Sequence, residues 1–338
     1  MVIIGILAVL VGCMIASGCV NSTMETDDIT VMQTSGEVFT LPHTVERIIL
    51  LNSNAAEMLY LLGASEMVVG VSQSIRDNTE IGSMFPAAMS VGKWNVPDVE
   101  LISSLSPDVV IAFDSSKPNN ADLIEAMGVP ILYIDCYKPT TMVQDMRSLG
   151  ILIGNRDRAE DFVMFYNATL ENISTRLPLD VPMPRVFCEG YTDYAVQGVG
   201  SGMDLLLGIS GGENVLLMNI ATGTTKVSPE WLVATDPDVI VKVTTTKNTL
   251  DAVTRFSSLV GRPGFSSIKA VRNDRTFLID SGIVYGPRTF AGALAVAKML
   301  YPEEFSDVDV RSILQEYNEK FGLNLSNGML VYPELVIS

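Results

Sequence analysis

The chain says the same thing twice. Residues 99–111 read VELISSLSPDVVI and residues 229–241 read PEWLVATDPDVIV. In each copy a Glu (Glu100, Glu230) stands eight residues before the Asp of a Pro-Asp pair (Pro107-Asp108, Pro237-Asp238), and a β-branched apolar strand follows. Flanking signals recur in the same order. Met58-Leu-Tyr-Leu-Leu-Gly63 is echoed by Met203-Asp-Leu-Leu-Leu-Gly208, and Ile131-Leu-Tyr-Ile-Asp135 by Thr276-Phe-Leu-Ile-Asp280. A chain built from two related halves predicts two similar lobes, and two lobes enclose a cleft.

A length of 338 residues suits two domains. With 48% hydrophobic and 18% charged residues there is material for two cores and no signature of disorder. The net charge of −17 argues against nucleic acid, because neutralising phosphates takes clustered Lys and Arg.

Strand-like runs alternate with helical periodicity. Ile48–Leu51 reads as a strand, Ala55–Leu62 as a helix with Glu57 in its first turn and Gly63 as its stop, and Val68–Val71 as the next strand. A helix over Val99–Leu105, a strand over Val109–Phe113, a helix over Ala121–Met127 and a strand over Ile131–Ile134 follow. Such alternation predicts α/β architecture, with βαβ units and a parallel sheet in each lobe. From Thr141 to Leu177 no Pro occurs and apolar residues recur at helical spacing, so one long helix is expected. It would span roughly 50 Å at 1.5 Å per residue, with Gly150 and Gly154 marking a kink or a short break. The expected plan is a tether and lead-in segment over 19–40, an N-terminal α/β lobe over 41–140, a stiff spine helix over 141–177, and a C-terminal α/β lobe over 178–338.

Residues 1–18 stand apart as a signal segment. Met1 to Ile15 carry no charge, yet the run is shorter than the ~20 residues that span a bilayer. It ends in Ala16-Ser17-Gly18-Cys19, the pattern of a lipoprotein cleavage site, which makes Cys19 the expected lipidated residue. Cys13 is the alternative, and an uncleaved anchor is another. Cys136 and Cys188 read as buried apolar groups rather than a bridge. One His, His43, excludes a site built on several His ligands.

Ligands of open parallel sheets bind beyond the carboxyl ends of the strands, so the strand-end loops of both halves should line one cleft. Those loops include Ser72 to Asp77 with Arg76, the segment around Trp94, Cys136-Tyr137, Glu189 to Tyr194, Thr222 to Lys226 and Ser281 to Arg288. Trp94, in the polar loop Gly92-Lys93-Trp94-Asn95, either shows a flat face to a ligand or packs onto its own lobe. Tyr191, Tyr194 and Tyr285 can serve the same purpose from the opposite lobe. Arg288 either holds an anionic group bidentately or pairs with a neighbouring carboxylate. Glu100 and Glu230 open short helices, where the helix dipole favours negative charge. Placed symmetrically, the same two acids suit a two-fold partner carrying two basic pockets. No Ser–His pair and no phosphate-cradling glycine loop is present, so catalysis is not expected.

The ordered set of motifs resembles the substrate-binding lipoproteins of ABC importers with a long-helix spine, the class that carries iron–siderophores, haem and cobalamin. The set comprises Arg47-Ile-Ile-Leu, Ala56-Glu57-Met-Leu-Tyr-Leu-Leu-Gly63, Val69-Gly70-Val71, Glu100 with Leu105-Ser-Pro-Asp-Val-Val110, Gly211-Gly-Glu-Asn214, Val227-Ser228-Pro229-Glu230, and Arg288 with Leu300-Tyr-Pro-Glu303. The resemblance implies two Rossmann-like lobes joined by a helix, with Glu100 and Glu230 engaging arginines of a permease dimer served by ATPase subunits. In the cobalamin-binding member a Trp six residues before the first docking Glu packs on the ligand, and Trp94 stands at that spacing. The corresponding second-lobe Trp is replaced here by Thr224. Arg288 matches a position that contacts anionic groups of siderophores. The expected function is therefore capture of a metal chelate, an iron–siderophore or haem first and a corrinoid as the alternative, by a monomeric, lipid-anchored cell-surface protein without a permanent cofactor. A surface receptor or sensor that docks no permease is the competing class.

Overall fold

A computed structural model describes residues 28–216, 224–246, 248–325 and 328–334. The leader with Cys13 and Cys19, and Thr222 of the loop at 222–226, lie outside the described residues.

The first half opens with a hairpin, β1 (Ile29–Met32) and β2 (Val38–Leu41). There follow β3 (Ile48–Leu50), α1 (Ser53–Leu61), β4 (Val68–Val71), α2 (Gln73–Asp77), α3 (Thr79–Ser83) and β5 (Met89–Ser90). A small hairpin, β6 (Gly92–Lys93) and β7 (Val96–Pro97), precedes α4 (Val99–Ser104), β8 (Val109–Ala112), α5 (Ala121–Ala126) and β9 (Ile131–Tyr133). The five strands ordered β5-β4-β3-β8-β9 form a wholly parallel sheet.

The expected long helix is broken at Gly154 into two, α6 (Met142–Ile153) and α7 (Arg156–Arg176). Gly154 ends α6 in the left-handed region at φ 76°, and the Asn155 side chain accepts from the Arg158 N–H to start α7. Helix α6 packs on β1 and α1, whereas α7 packs on helices of the second half. The Arg158 guanidinium donates to the carbonyls of Leu61 and Phe321, stitching the halves at the head of α7.

The second half runs β10 (Arg185–Glu189), β11 (Ala195–Gln197), α8 (Gly202–Ile209), β12 (Glu213–Asn214), β13 (Thr224–Lys226), α9 (Pro229–Thr235) and β14 (Val239–Thr244). It continues with α10 (Thr249–Val260), α11 (Lys269–Arg272), β15 (Thr276–Asp280), α12 (Ser281–Val284), α13 (Thr289–Leu300), α14 (Val310–Phe321) and β16 (Val331–Tyr332). Its sheet is ordered β13-β11-β10-β14-β15-β16, with β12 also on β10. Strands β10, β12, β14 and β15 pair in parallel, but β11 and β16 pair antiparallel, so this sheet is mixed rather than parallel. The reason is local. Only a short turn separates β10 from β11, and a parallel neighbour needs a crossover of a dozen residues or more.

Strand residues alternate between cores. Ile48, Leu50, Val109 and Ile111 of the first sheet, and Val186, Val239, Val241 and Ile279 of the second, all enter one hydrophobic cluster. Ile49, Val110 and Ile131 face a second cluster, and Phe187, Ile240 and Leu278 a third. A wide hinge opening would expose the core shared by both lobes and lose its packing. Cys136 and Cys188 are free and buried.

The repeated Pro-Asp unit acts as a staple. Ser106 and Asp236, just before each Pro, share positive φ values of 44° and 43°. Asp108 Oδ2 accepts from the Glu46 and Arg47 N–H groups at 2.7 and 2.8 Å, and Asp238 Oδ2 accepts from the Arg185 N–H at 2.9 Å. Each carboxylate thus fixes the start of a central strand, β3 in one lobe and β10 in the other. The upstream echo is offset in space. Gly63 ends α1 in the left-handed region, but α8 runs past Gly208 to Ile209, and Gly211 takes that role.

The lead-in hairpin is tied to β9 and α6. Thr34 Oγ1 donates to Asp145 Oδ1 at 2.8 Å, and the Cys136 N–H donates to Asp145 Oδ2 at 2.9 Å. Burial pushes the Asp145 carboxyl up to about 6, against these donors and that of Thr141, with Asp135 adding to the rise. Because the folded value lies above the ordinary 3.8, the protonated form favours folding. Its contribution is complete below the ordinary 3.8 and is lost as pH rises through about 6. Denaturant melts should therefore show the wild type losing stability relative to Asp145→Asn as pH rises from about 4 to about 7. The relative loss is expected to reach about 3 kcal/mol, the free energy that separates a carboxyl at about 6 from one at 3.8. A difference between the two proteins that does not change with pH contradicts this assignment.

Candidate functional site

The carboxyl ends of the parallel strands in both lobes face one cleft. A cavity of about 790 Å³ opens there, between α2–α3 of the first lobe and the loops after β14 and β15 of the second. Among the described residues its wall carries the carboxylates Asp77, Glu80 and Asp280 and the guanidinium Arg288. Burial pushes the Asp280 carboxyl up, opposed by the Gly282 N–H that it accepts at 2.8 Å and by Arg288.

Arg288 is already engaged. It immediately precedes α13, and its Nε lies 3.2 Å from Oε2 of Glu57 on α1 in the other lobe. Glu57 Oε1 accepts from the Tyr317 hydroxyl of α14 at 2.8 Å. Burial works against the Arg288 charge, but Glu57, and then Glu80 and Asp280, hold the guanidinium above its usual range. Arg288 thus forms the carboxylate pair that was one of its two readings, as an ion pair in which its Nε makes no hydrogen bond. Glu57 is not in the first turn of α1 but in the second, 3% exposed. A lone charge inside Ala55-Ala56-Glu57-Met58-Leu59 was the available signal, since buried acids need partners.

The lobes meet beside the cavity through tyrosines. Tyr137, after β9, sits edge-on to Tyr285 at 6.3 Å between centroids, and Tyr285 is 6.4 Å from Tyr191. A Cβ on Gly202, at the start of α8, would meet the Tyr137 ring at 3.0 Å, so glycine permits this close approach. The Gln197 amide donates to the Tyr285 hydroxyl, and burial pushes that phenol up. The Tyr191 hydroxyl lies near Ser281 and Thr245, which bond each other at 2.8 Å on the cavity wall.

The remaining sequence-predicted residues divide. Trp94 lies on the β6–β7 hairpin, half-buried against the second core cluster and edge-on to Phe113 at 5.7 Å. Tyr194 turns away from the tyrosine seam, under the Arg262 guanidinium at 4.7 Å and against Phe265. Arg76 is half-buried on α2 at the cavity's first-lobe side and forms no ion pair among the described residues. Thr224 begins β13. Glu100 and Glu230 are exposed in the first turns of α4 and α9, capped by Asp98 and Ser228. Among the described residues no group of three or more His, Cys, Asp or Glu can hold a metal, and no helix is long and apolar enough to cross a membrane.

The chain is 26% identical over 320 residues to the uncharacterized ABC transporter substrate-binding lipoprotein YvrC of Bacillus subtilis, covering 89% of this chain and 97% of that one. It is 27% identical over 218 residues to a cobalamin-binding protein of Halobacterium salinarum, covering 61% and 56% of the two chains. The fold matches a TroA-like periplasmic binding protein, FepB, from Veillonella parvula, with a TM-score of 0.73 and 20% identity, over 90% of this chain and 99% of that one. The family model described as periplasmic binding protein matches residues 48–282, well over half of the sequence. The chain therefore belongs to the periplasmic binding proteins, the substrate-binding components of ABC transporters.

Proposed function

We propose that this protein is the lipid-anchored, monomeric capture subunit of an ABC importer, and that its cleft takes a metal chelate with little net negative charge, a corrinoid first. Cys19 supplies the anchor, and Glu100 and Glu230 dock the permease dimer. The observation that carries the ligand reading is the pairing of Arg288 with Glu57 beside a wall that, among the described residues, also bears Asp77 and Asp280. A ferric catecholate brings several negative charges and needs unpaired cations. A corrinoid brings a broad macrocycle edged with amides, which suits tyrosine faces, hydroxyls and acceptors. The cobalamin-binding relative from Halobacterium salinarum supports the same class. An iron chelate is the second reading, favoured by Arg76, which has no ion-pair partner among the described residues.

Purified protein titrated with cyanocobalamin, a ferric catecholate and haemin separates these readings. Cyanocobalamin is expected to raise the melting temperature, through about 2.7 kcal/mol of stabilisation at a hundredfold excess over Kd. It should also quench the fluorescence component that Trp94→Phe removes. A shift with the ferric catecholate alone transfers the assignment to iron, and silence across the panel ends the chelate reading.

A further inference from the structure

At the carboxyl edge of the second sheet lies a cluster of four charges away from the cavity wall. Glu189, the last residue of β10, is fully buried and accepts from Lys242 Nζ at 2.7 Å and from Arg262 Nη1 and Nη2 at 2.7 and 3.1 Å. The Arg262 and Lys242 side chains are 8% and 9% exposed, and both also pair with Asp193. Two acids and two bases cancel in charge. Burying them still costs more desolvation than an apolar cluster of the same volume, so simple stability is a poor reason for the arrangement.

Its contacts converge on one short segment. Glu189 accepts the N–H of Tyr194, a residue held at φ 61°, and Lys242 Nζ donates to the Gly190 carbonyl at 3.3 Å. Arg262 covers the Tyr194 ring, and Asp193 is the cluster's outer acid. The turn from Gly190 to Tyr194 is thereby gripped at its first residue and at its last two. Tyr191 is left 60% exposed, its hydroxyl against Ser281 and Thr245 on the cavity wall and its ring beside Tyr285.

We infer that Arg262, with Glu189, Lys242 and Asp193, positions the Tyr191 turn as the second lobe's ligand-contacting arm. Arg262 acts through Tyr191 and touches no ligand itself. The ligand part of this inference rests on the cleft reading above, whereas the positioning part does not. Arg suits the role better than Lys, because its planar fork holds both Glu189 oxygens while the cationic face covers the ring.

Fluorotyrosine labelling of the full chain tests both parts. Of the ten tyrosines, the one lost in Tyr191→Phe assigns its fluorine resonance. In ligand-free Arg262→Gln that resonance is expected to shift and broaden, as the turn samples several positions. Cyanocobalamin affinity should fall about tenfold in Arg262→Gln and in Tyr191→Ala, with no further fall in the double variant, because coupled residues do not add. Asp193→Asn, altering the exposed acid, provides a milder variant in the same direction if Arg262→Gln folds poorly. An unchanged Tyr191 resonance in these variants overturns the inference whether or not cyanocobalamin binds. Additive losses of affinity overturn the ligand part and leave the cluster a fastening of the lobe. A wild type that ignores cyanocobalamin while the resonance still moves removes the corrinoid reading and retains the positioning role.

Discussion

Charge reversal at both surface acids, Glu100→Lys with Glu230→Lys, is expected to abolish import while ligand binding stays at wild-type strength. The two residues are exposed, lie in first turns of corresponding helices, and each helix leads into the strand, β8 or β14, that follows the stapling Asp. Coupling between close charges across an interface runs to about 1.5–7 kcal/mol per pair, so two reversals should weaken docking by at least about a hundredfold. Misfolding cannot account for such a loss. A basic group in the first turn of a helix costs only about 0.3–1 kcal/mol. Single reversals should fall between, and uptake of labelled ligand in cells alongside ligand titration of the purified variants reads both quantities. Import that survives the double reversal removes the docking assignment and favours the receptor or sensor reading.

The second large effect is expected at Glu57. Glu57→Gln leaves the Arg288 guanidinium buried without its countercharge, and breaking such a pair costs about 3–5 kcal/mol. For a chain of this size that corresponds to a fall in Tm of about 6–10 °C, at about 2 °C per kcal/mol. Replacing both partners, Glu57→Leu with Arg288→Met, should recover only part of the loss, because no guanidinium then remains buried without its partner while the Tyr317 hydroxyl loses its acceptor and Asp280 its countercharge. A melt of Glu57→Gln within about 1 kcal/mol of wild type shows that the pair is not the lobe fastening drawn here. The double variant also separates roles. If it folds but loses affinity in the ligand panel, Arg288 contributes to binding beyond its pair with Glu57.

Much of the architecture was legible in the chain. The strands at 48–50, 68–71, 109–112 and 131–133 stand where the apolar runs placed them, because burial on both faces of a parallel sheet imprints continuous β-branched segments. The break in the long helix falls at Gly154, one of the two glycines expected to mark a kink or a short break, and the Asn155 cap makes it a full stop and restart rather than a kink. The antiparallel strands β11 and β16 are only three and two residues long, so alternation alone did not separate them from parallel neighbours. At the cleft, Tyr191 and Tyr285 were readable as strand-end residues. Tyr194, from the same turn, faces the other way because its positive φ and the Glu189 contact reverse the chain there.

The sequence by itself determined the duplication, the two α/β lobes, the exposed acids at matching positions and the family, since all of these are written in local pattern and order. Only the tertiary structure decided the electrostatics of the cleft. Glu57 meets Arg288, and Glu189 meets Lys242 and Arg262, between segments far apart in the chain. The charge that a ligand encounters depends on which groups are already neutralised. Pairing follows from distance in space and from burial, and neither is expressed in the spacing of residues along the chain.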